Sequence, residues 1–253
     1  MQISSKNKKI LIFSDPHQDI AKVRRIVDAE CADVNLCLGD WFDSYFYDDN
    51  NHVADAAAYL KEFVGRKNCY SLIANHDQSY LFPSIYTKCS GYEKRKFQII
   101  MDVLGAQKNI VRDKLLWYVW VDDILCTHAG LHPSFVKFNP TVDSIDAFLE
   151  AETKRANEKI RNGSDYWVYA AGLNRGGFRD FGGLNWLDFN TEFEPLGDIK
   201  QIVGHTSDKR IRAHHSYGGI DVINADNLCI DCRLSEYLVI TNGKLEIKKY
   251  SDL

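Results

Sequence analysis

The chain has 253 residues, 45% of them apolar and 26% charged, which is enough apolar matter for one large core and too much for a disordered chain. A formal net charge of −4, with only short basic runs at Lys6 to Lys9 and Lys94-Arg95-Lys96, gives no strong nucleic-acid signature. No apolar stretch approaches the roughly 18 residues of a membrane span and no charged-then-apolar leader is visible, so no membrane partner and a cytoplasmic location are expected.

In chain order, Lys9–Phe13 is an apolar, strand-like run that ends at Asp15-Pro16-His17. Asp19–Glu30 then places Ile20, Val23 and Val27 at helical spacing. The second run, Val34–Leu38, ends at Gly39-Asp40-Trp41-Phe42-Asp43, and Val53–Val64 repeats the helical pattern with Ala56, Ala57, Leu60 and Val64. A third run, Cys69–Ala74, ends at Asn75-His76-Asp77. This strand–helix alternation predicts an α/β fold with parallel strands joined by crossover helices.

The second half changes style. Gln78–Gly91, rich in Tyr, Pro and Ser, leads to a helix around Tyr92–Leu104. Trp117–Val121 and Ile124–Thr127 flank Asp122-Asp123 as a tight hairpin running into His128-Ala129-Gly130. Val142–Asn162 is a long helix ahead of a glycine-dense region at 163–198, and Ile199–Val203 ends at Gly204-His205-Thr206. Asn242-Gly243 between Tyr237–Thr241 and Lys244–Lys249 is a strong hairpin signal. A second, mostly antiparallel sheet is expected here, within a single domain over 1–253 whose inserts at 78–105 and 142–198 shape the substrate site.

Each of the five polar clusters follows a strand, and loops at the carboxyl ends of strands in an open α/β sheet converge on one crevice. Asp40 is a carboxylate able to bridge two cations. Asp15 and His17 share a loop, while Asn75, His128 and His205 supply neutral oxygen and nitrogen donors. Such a mixed set suits Mn²⁺, Fe or Zn²⁺, and two ions roughly 3.5–4 Å apart can clamp a phosphoryl group and hold a water for in-line attack.

Asp-x-His, Gly-Asp-x-x-Asp, Asn-His-Asp, His-Ala-Gly and Gly-His-Thr, in this order over most of the chain, resemble the motifs of the calcineurin-like metallophosphoesterase superfamily. His-Ala-Gly, the lone His of Gly-His-Thr and Gly-Leu-Asn-Trp-Leu-Asp at 183–188 are most similar to its phosphoprotein-phosphatase-like branch, of the bacterial and phage type and related to the diadenosine tetraphosphatases. The resemblance implies a four-layer sandwich of two mixed β-sheets flanked by helices. It further implies two divalent metal ions, with Mn²⁺ first and Fe or Zn²⁺ as alternatives. Asp15, His17 and Asp40 would hold the first; Asp40, Asn75, His128 and His205 would hold the second. His76 would protonate the leaving-group oxygen with Asp43 orienting its ring, and a hydroxide between the metals would attack a phosphomonoester. The alternative on the same scaffold is a nucleotide or dinucleoside polyphosphate hydrolase, or an oligonucleotide phosphatase or phosphodiesterase. The substrate is thus a phosphorylated small molecule, nucleotide or phosphoprotein.

The departures from the pattern are informative. Where that branch carries a phosphate-gripping Arg after Gly-Asp-x-x-Asp, this chain has Ser44, which cannot make a forked contact. Arg179 first and Arg175 second are the expected replacements. Where many superfamily members carry a second His after Gly-His-x, this chain has Ser207. Trp41, Phe42, Tyr45, Phe46 and Tyr47 are either ring-stacking residues or core. Cys229-Ile-Asp-Cys232 lacks a second pair and, like the other cysteines, reads as buried structure in a reducing compartment. His52, His132, His214 and His215 read as surface or core histidines.

Overall fold

The computed structural model describes residues 1–214 and 226–253, so His215 lies outside the described residues. The chain runs through β1 (Gln2–Ile3), β2 (Lys9–Phe13), α1 (Ile20–Glu30), β3 (Val34–Cys37), α2 (Asn50–Gly65), β4 (Cys69–Ser71) and α3 (Asn75–Leu81). It continues with α4 (Lys94–Leu104), α5 (Lys108–Lys114), β5 (Tyr118–Val121), β6 (Ile124–Thr127), α6 (Val142–Arg161) and β7 (Lys200–Val203). It closes with β8 (Arg212–Ala213), β9 (Asn227–Cys229), β10 (Glu236–Thr241) and β11 (Lys244–Lys249).

The strands form two mixed sheets, one in the order β11-β10-β2-β3-β4 and the other β1-β5-β6-β7-β9-β8. In the first, β2, β3 and β4 are parallel, as the alternation with α1 and α2 requires. The Asn-Gly hairpin forms as read, with Asn242 and Gly243 at φ +51° and +75°. It does not seed a second sheet, however; β10 pairs antiparallel with β2 and extends the first one. The second sheet is also not mostly antiparallel, since β1–β5, β6–β7 and β7–β9 are parallel pairs. The β6-to-β7 connection does carry a helix, α6, but a long irregular stretch separates that helix from β7, so the strand–helix alternation is harder to read there.

The sandwich follows from the period of two along each strand. Ile10 and Ile12 of β2, Leu36 of β3, Val119 and Val121 of β5, and Leu238 and Ile240 of β10 fill one buried layer between the sheets. Their neighbours Leu11, Phe13, Trp120, Tyr237 and Val239 point the other way, into the helix-covered layers with Val23, Leu60, Ile145 and Leu149. Both faces of the central strands are therefore dry, which explains why they read as continuous apolar runs. Leu36 is fully buried in the inter-sheet layer. Leu36→Ala should cost about 2–5 kcal/mol, read as a lower urea midpoint at unchanged slope.

Helix ends are set by capping. Asp19 accepts the Lys22 amide at 3.2 Å to start α1, and Asp49 accepts the Asn51 and His52 amides at 2.9 and 3.1 Å, starting α2 three residues before the apolar pattern begins. Trp41 and Phe42 lie in the core, and the Trp41 indole donates to Ser71 Oγ at 2.8 Å. Tyr45 and Phe46 are exposed, and Tyr47 stacks on His52. His132 stacks on Phe181, and His214 packs near Phe189 and Phe193.

Candidate active site

The loops after β2, β3, β6 and β7 and the start of α3 meet at one place. The first two are zipped together: the amides of Asp15, His17 and Gln18 donate to the carbonyls of Gly39, Asp40 and Trp41 at 3.0, 2.9 and 3.0 Å. Asp15, His17, Asp40, Asp43 and His205 all sit in the left-handed region, with φ between +43° and +67°. Non-glycine residues rarely adopt it, and such strain gathers where surrounding structure forces side chains into a functional array. At Gly204 a Cβ would lie 2.1 Å from Ser14 Oγ and 2.3 Å from Asp15 Oδ2, so only glycine lets the His205 loop close onto Asp15. The His205 amide then donates to the Asp15 carboxylate at 3.2 Å.

Two groups of potential ligand atoms result, Asp15–His17–Asp40 and Asp40–His128–His205, with Asp40 common to both. Asp40 Oδ2 lies 3.9 Å from His17 Nε2 and 3.4 Å from His128 Nε2. Asn75 Oδ1 lies 3.0 Å from both His128 Nε2 and His205 Nδ1. The outward ring nitrogens are occupied by backbone: His17 Nδ1 faces Phe42 O at 3.0 Å and His128 Nδ1 faces Leu38 O at 2.8 Å. A proton on Nδ1 donating to a carbonyl turns the Nε2 lone pair inward, the orientation a metal-ligating histidine requires.

The electrostatics fit a cation. Asp15, Asp40 and Asp231 are buried together, and Asp231 Oδ1 has no partner among the described residues. Burial and the charges of Asp231 and Asp40 raise the Asp15 carboxyl well above the usual range. Burial would also raise Asp40, but His128, His76 and His17 outweigh it and hold it low. Burial would lower His128, yet Asp40 beside it brings the imidazole up to about 9. Buried carboxylates facing inward nitrogen and oxygen lone pairs are what divalent ions neutralise.

His76 Nδ1 lies 2.8 Å from Asp43 Oδ2, and its backbone amide donates to Asp40 Oδ1 at 3.0 Å. Burial opposes the charged imidazole, but Asp40 and the hydrogen bond to Asp43 raise its pKa well above normal. Asp43 Oδ1 takes Tyr80 Oη at 2.5 Å and Lys96 Nζ at 3.2 Å. Ser44 Oγ accepts the amides of Phe46 and Tyr47, so its hydroxyl serves a turn.

The two arginines are placed differently. Arg175 donates to Thr206 Oγ1 at 3.1 Å, pairs with Asp188 at 2.8 Å, and its charge contributes to a lowered His205 pKa behind burial and His128. Arg179 pairs with Asp165 at 2.6 Å at the surface. Both line a cleft of about 690 Å³ with Tyr86, Lys88, Phe178 and Trp186.

Three residues of the site escaped the sequence reading. Asp77 accepts the amides of Asp40 and Trp41, both at 2.9 Å, and ties the Asp40 loop to α3; its position three residues past the end of a strand run, at a helix start, was the available signal. Lys96 and Cys89 reach Asp43 from a segment whose sequence carries no motif. The Cys229 and Cys232 thiols are buried against backbone carbonyls of Gly204 and Glu236, each at 3.2 Å, and all seven cysteines are free.

A sandwich with this donor set at its strand ends defines a phosphoester-hydrolase class of protein. The chain belongs to the calcineurin-like phosphoesterase family, whose model matches residues 8–223. It is accordingly a hydrolase of phosphoesters, of a family that uses paired divalent metals. No curated protein sequence matches the chain. Among solved structures it is similar to a cold-active protein-tyrosine phosphatase of a psychrophilic Shewanella species, at 15% identity and TM-score 0.61, covering 100% of this chain and 81% of that one. It is also similar to a candidate diadenosine tetraphosphatase, at 14% identity and TM-score 0.51 over 98% of this chain and 96% of the other. A protein serine/threonine phosphatase from Saccharomyces cerevisiae follows at 13% identity and TM-score 0.50, over 98% and 82%. At these identities the likeness is one of fold.

Proposed function

We propose that the protein is a metal-dependent phosphatase that hydrolyses a phosphomonoester, with His76 as general acid and Asp43 as the group that orients it. The observation that carries this reading is the 2.8 Å His76–Asp43 contact set directly against Asp40. Asp15, His17 and Asp40 would hold one ion, and Asp40, Asn75, His128 and His205 the other. When bound, the pair supplies positive charge for the phosphoryl oxygens and an activated water as nucleophile. With Nδ1 engaged by Asp43, His76 keeps Nε2 to donate a proton to the departing oxygen. The carboxylate and amide oxygens of Asp15, Asp40 and Asn75 suit Mn²⁺, our first choice, and the imidazoles of His17, His128 and His205 suit Fe or Zn²⁺ equally. Seven free thiols suit a reducing, cytoplasmic location.

Both arginines are ion-paired, Arg175 with Asp188 and Arg179 with Asp165, but Arg175 is favoured over Arg179 as the substitute phosphate clamp because it lies against the His205 loop. Arg175→Ala should raise KM and lower kcat together, reducing kcat/KM about 10–100-fold, the range for one charge-assisted contact. Arg179→Ala should stay near wild type. Steady-state kinetics on p-nitrophenyl phosphate check both, and unchanged kinetics in Arg175→Ala would mean that the metals alone hold the phosphate.

One observation favours a second reading. Tyr86, Phe178 and Trp186 with Lys88 line the cleft formed by the inserts, and aromatic faces beside cations suit a nucleotide or dinucleoside polyphosphate. Comparing p-nitrophenyl phosphate, its bis-ester, phosphotyrosine peptides and dinucleoside polyphosphates on Mn²⁺-loaded protein decides between them. A higher kcat/KM on the polyphosphates than on every monoester would overturn the phosphomonoesterase reading.

A further inference from the structure

Beside the two ligand groups built on Asp40 lies a third of different chemistry. Cys89 Sγ is 3.2 Å from His76 Nδ1 and 3.7 Å from Asp43 Oδ2, and those two atoms are 2.8 Å apart. Thiol, imidazole and carboxylate ligand atoms thus converge on one point: the Cys89–Asp43 separation matches an edge of a zinc tetrahedron, whose bonds of about 2.0–2.3 Å set the corners roughly 3.3–3.7 Å apart, and the shorter contacts of His76 are hydrogen-bonded ones that open by about half an ångström on ligation.

The surroundings are built. Ser79 Oγ, on the helix that carries His76, accepts the Cys89 amide at 2.9 Å and donates to Thr87 O at 2.8 Å, fixing the cysteine loop to α3. Gly91 lets that loop close on the carboxylate, since a Cβ there would lie 2.5 Å from Asp43 Cγ. Tyr80 and Lys96 occupy Asp43 Oδ1 and leave Oδ2 for the third ligand position, as outer partners of a metal-binding carboxylate do. Lys96 also bonds Asp48 and Glu93 at 3.1 and 3.0 Å, so its single charge is spread over three carboxylates and the locality stays receptive to a dication.

We propose that Cys89, His76 and Asp43 form an inhibitory site for a thiophilic divalent ion of the zinc class, distinct from the two metals of the centre. Binding releases the thiol proton and the proton on His76 Nδ1 and replaces the His76–Asp43 hydrogen bond with two metal bonds. The ring can then no longer cycle a proton to the leaving group. Mn²⁺, which prefers oxygen ligands, leaves this site open, whereas Zn²⁺, Co²⁺ and Cd²⁺ fill it, so the same protein is active with one metal and silenced by another. The inhibition rests on His76 acting as the acid; the binding does not.

The test uses the full chain loaded with two equivalents of Mn²⁺. Added Co²⁺ should give a thiolate-to-cobalt charge-transfer band, because the centre itself has no cysteine ligand. Added Zn²⁺ should bind as a further equivalent, protect Cys89 from alkylation as read by mass spectrometry, and abolish hydrolysis. Cys89→Ser should lose the band and raise the half-inhibitory zinc concentration about 10–100-fold, as loss of a metal-site partner does. The alkylation measurement needs no variant and stands if Cys89→Ser folds poorly. Absence of the band together with equal alkylation rates with and without Zn²⁺ overturns the site. A band and protection with undiminished hydrolysis upholds the site and removes His76 from the role of acid, so the two failures are told apart.

Discussion

Replacing Asp40 with Asn should weaken both metals at once and reduce kcat/KM about 10³-fold, the upper end of what removing one charge-stabilising group costs. The substitution is nearly isosteric, and its effect is confined to charge. Asn tolerates the left-handed φ of +63° that Asp40 adopts, and its amide oxygen can still accept the His76 amide that now donates to Oδ1. What it loses is the carboxylate shared by His17 on one side and His128 on the other. Metal analysis after dialysis should show both equivalents depleted in Asp40→Asn. His17→Ala and His205→Ala should each lose predominantly one. Chelation of the unaltered protein should abolish activity, and Mn²⁺ should restore it. A preparation holding less than one equivalent of metal that still hydrolysed phosphate esters would defeat the reading.

Much of this site was legible because its residues are punctuation at the ends of strands. A buried parallel strand is an unbroken apolar run, so Asp15, Asp40 and Asn75 stand out where the runs of β2, β3 and β4 break off. The helices were visible for the same kind of reason: Ile20, Val23 and Val27, or Ala56, Ala57, Leu60 and Val64, repeat at the helical period, and all but the half-buried Val27 are buried, with Ile26 completing the buried face of α1. Pairing was less visible. Nothing local to Tyr237–Thr241 tells whether it joins one sheet or the other; that is decided by the match of Leu238 and Ile240 to Ile10 and Ile12 across the ladder, a contact spanning most of the chain. Lys96 escaped because a lysine in an amphipathic helix reads as a solvated face, and only the fold turns it under Asp43. The choice between Arg175 and Arg179 escaped for a related reason. The sequence ranks Arg179 ahead of Arg175 in one glycine-dense loop, and only the fold puts Arg175 against Thr206 and Asp188 while Arg179 pairs with Asp165.

His76→Asn should leave metal content nearly intact while lowering turnover by about 10²–10⁴-fold on alkyl phosphates, the usual contribution of a general acid. The side chain of His76 stands outside both Asp40-centred ligand groups, and it meets the centre through its backbone amide, which Asn retains. The residue opens a helix whose first turn is fixed by Asp77, with Oδ2 accepting the Ala74 amide at 3.3 Å, so a change of side chain should not unseat Asn75 beside it. Selectivity for the leaving group is the signature that separates an acid from a structural residue. A p-nitrophenolate departs with little need of a proton and should suffer least, whereas an alkoxide cannot depart without one and should suffer most. Asp43→Asn should show the same ordering with a smaller loss, since it leaves the imidazole in place but removes the carboxylate that holds its charge and orientation. Equal losses on good and poor leaving groups would assign His76 to binding, and loss of metal in His76→Asn would make it a ligand.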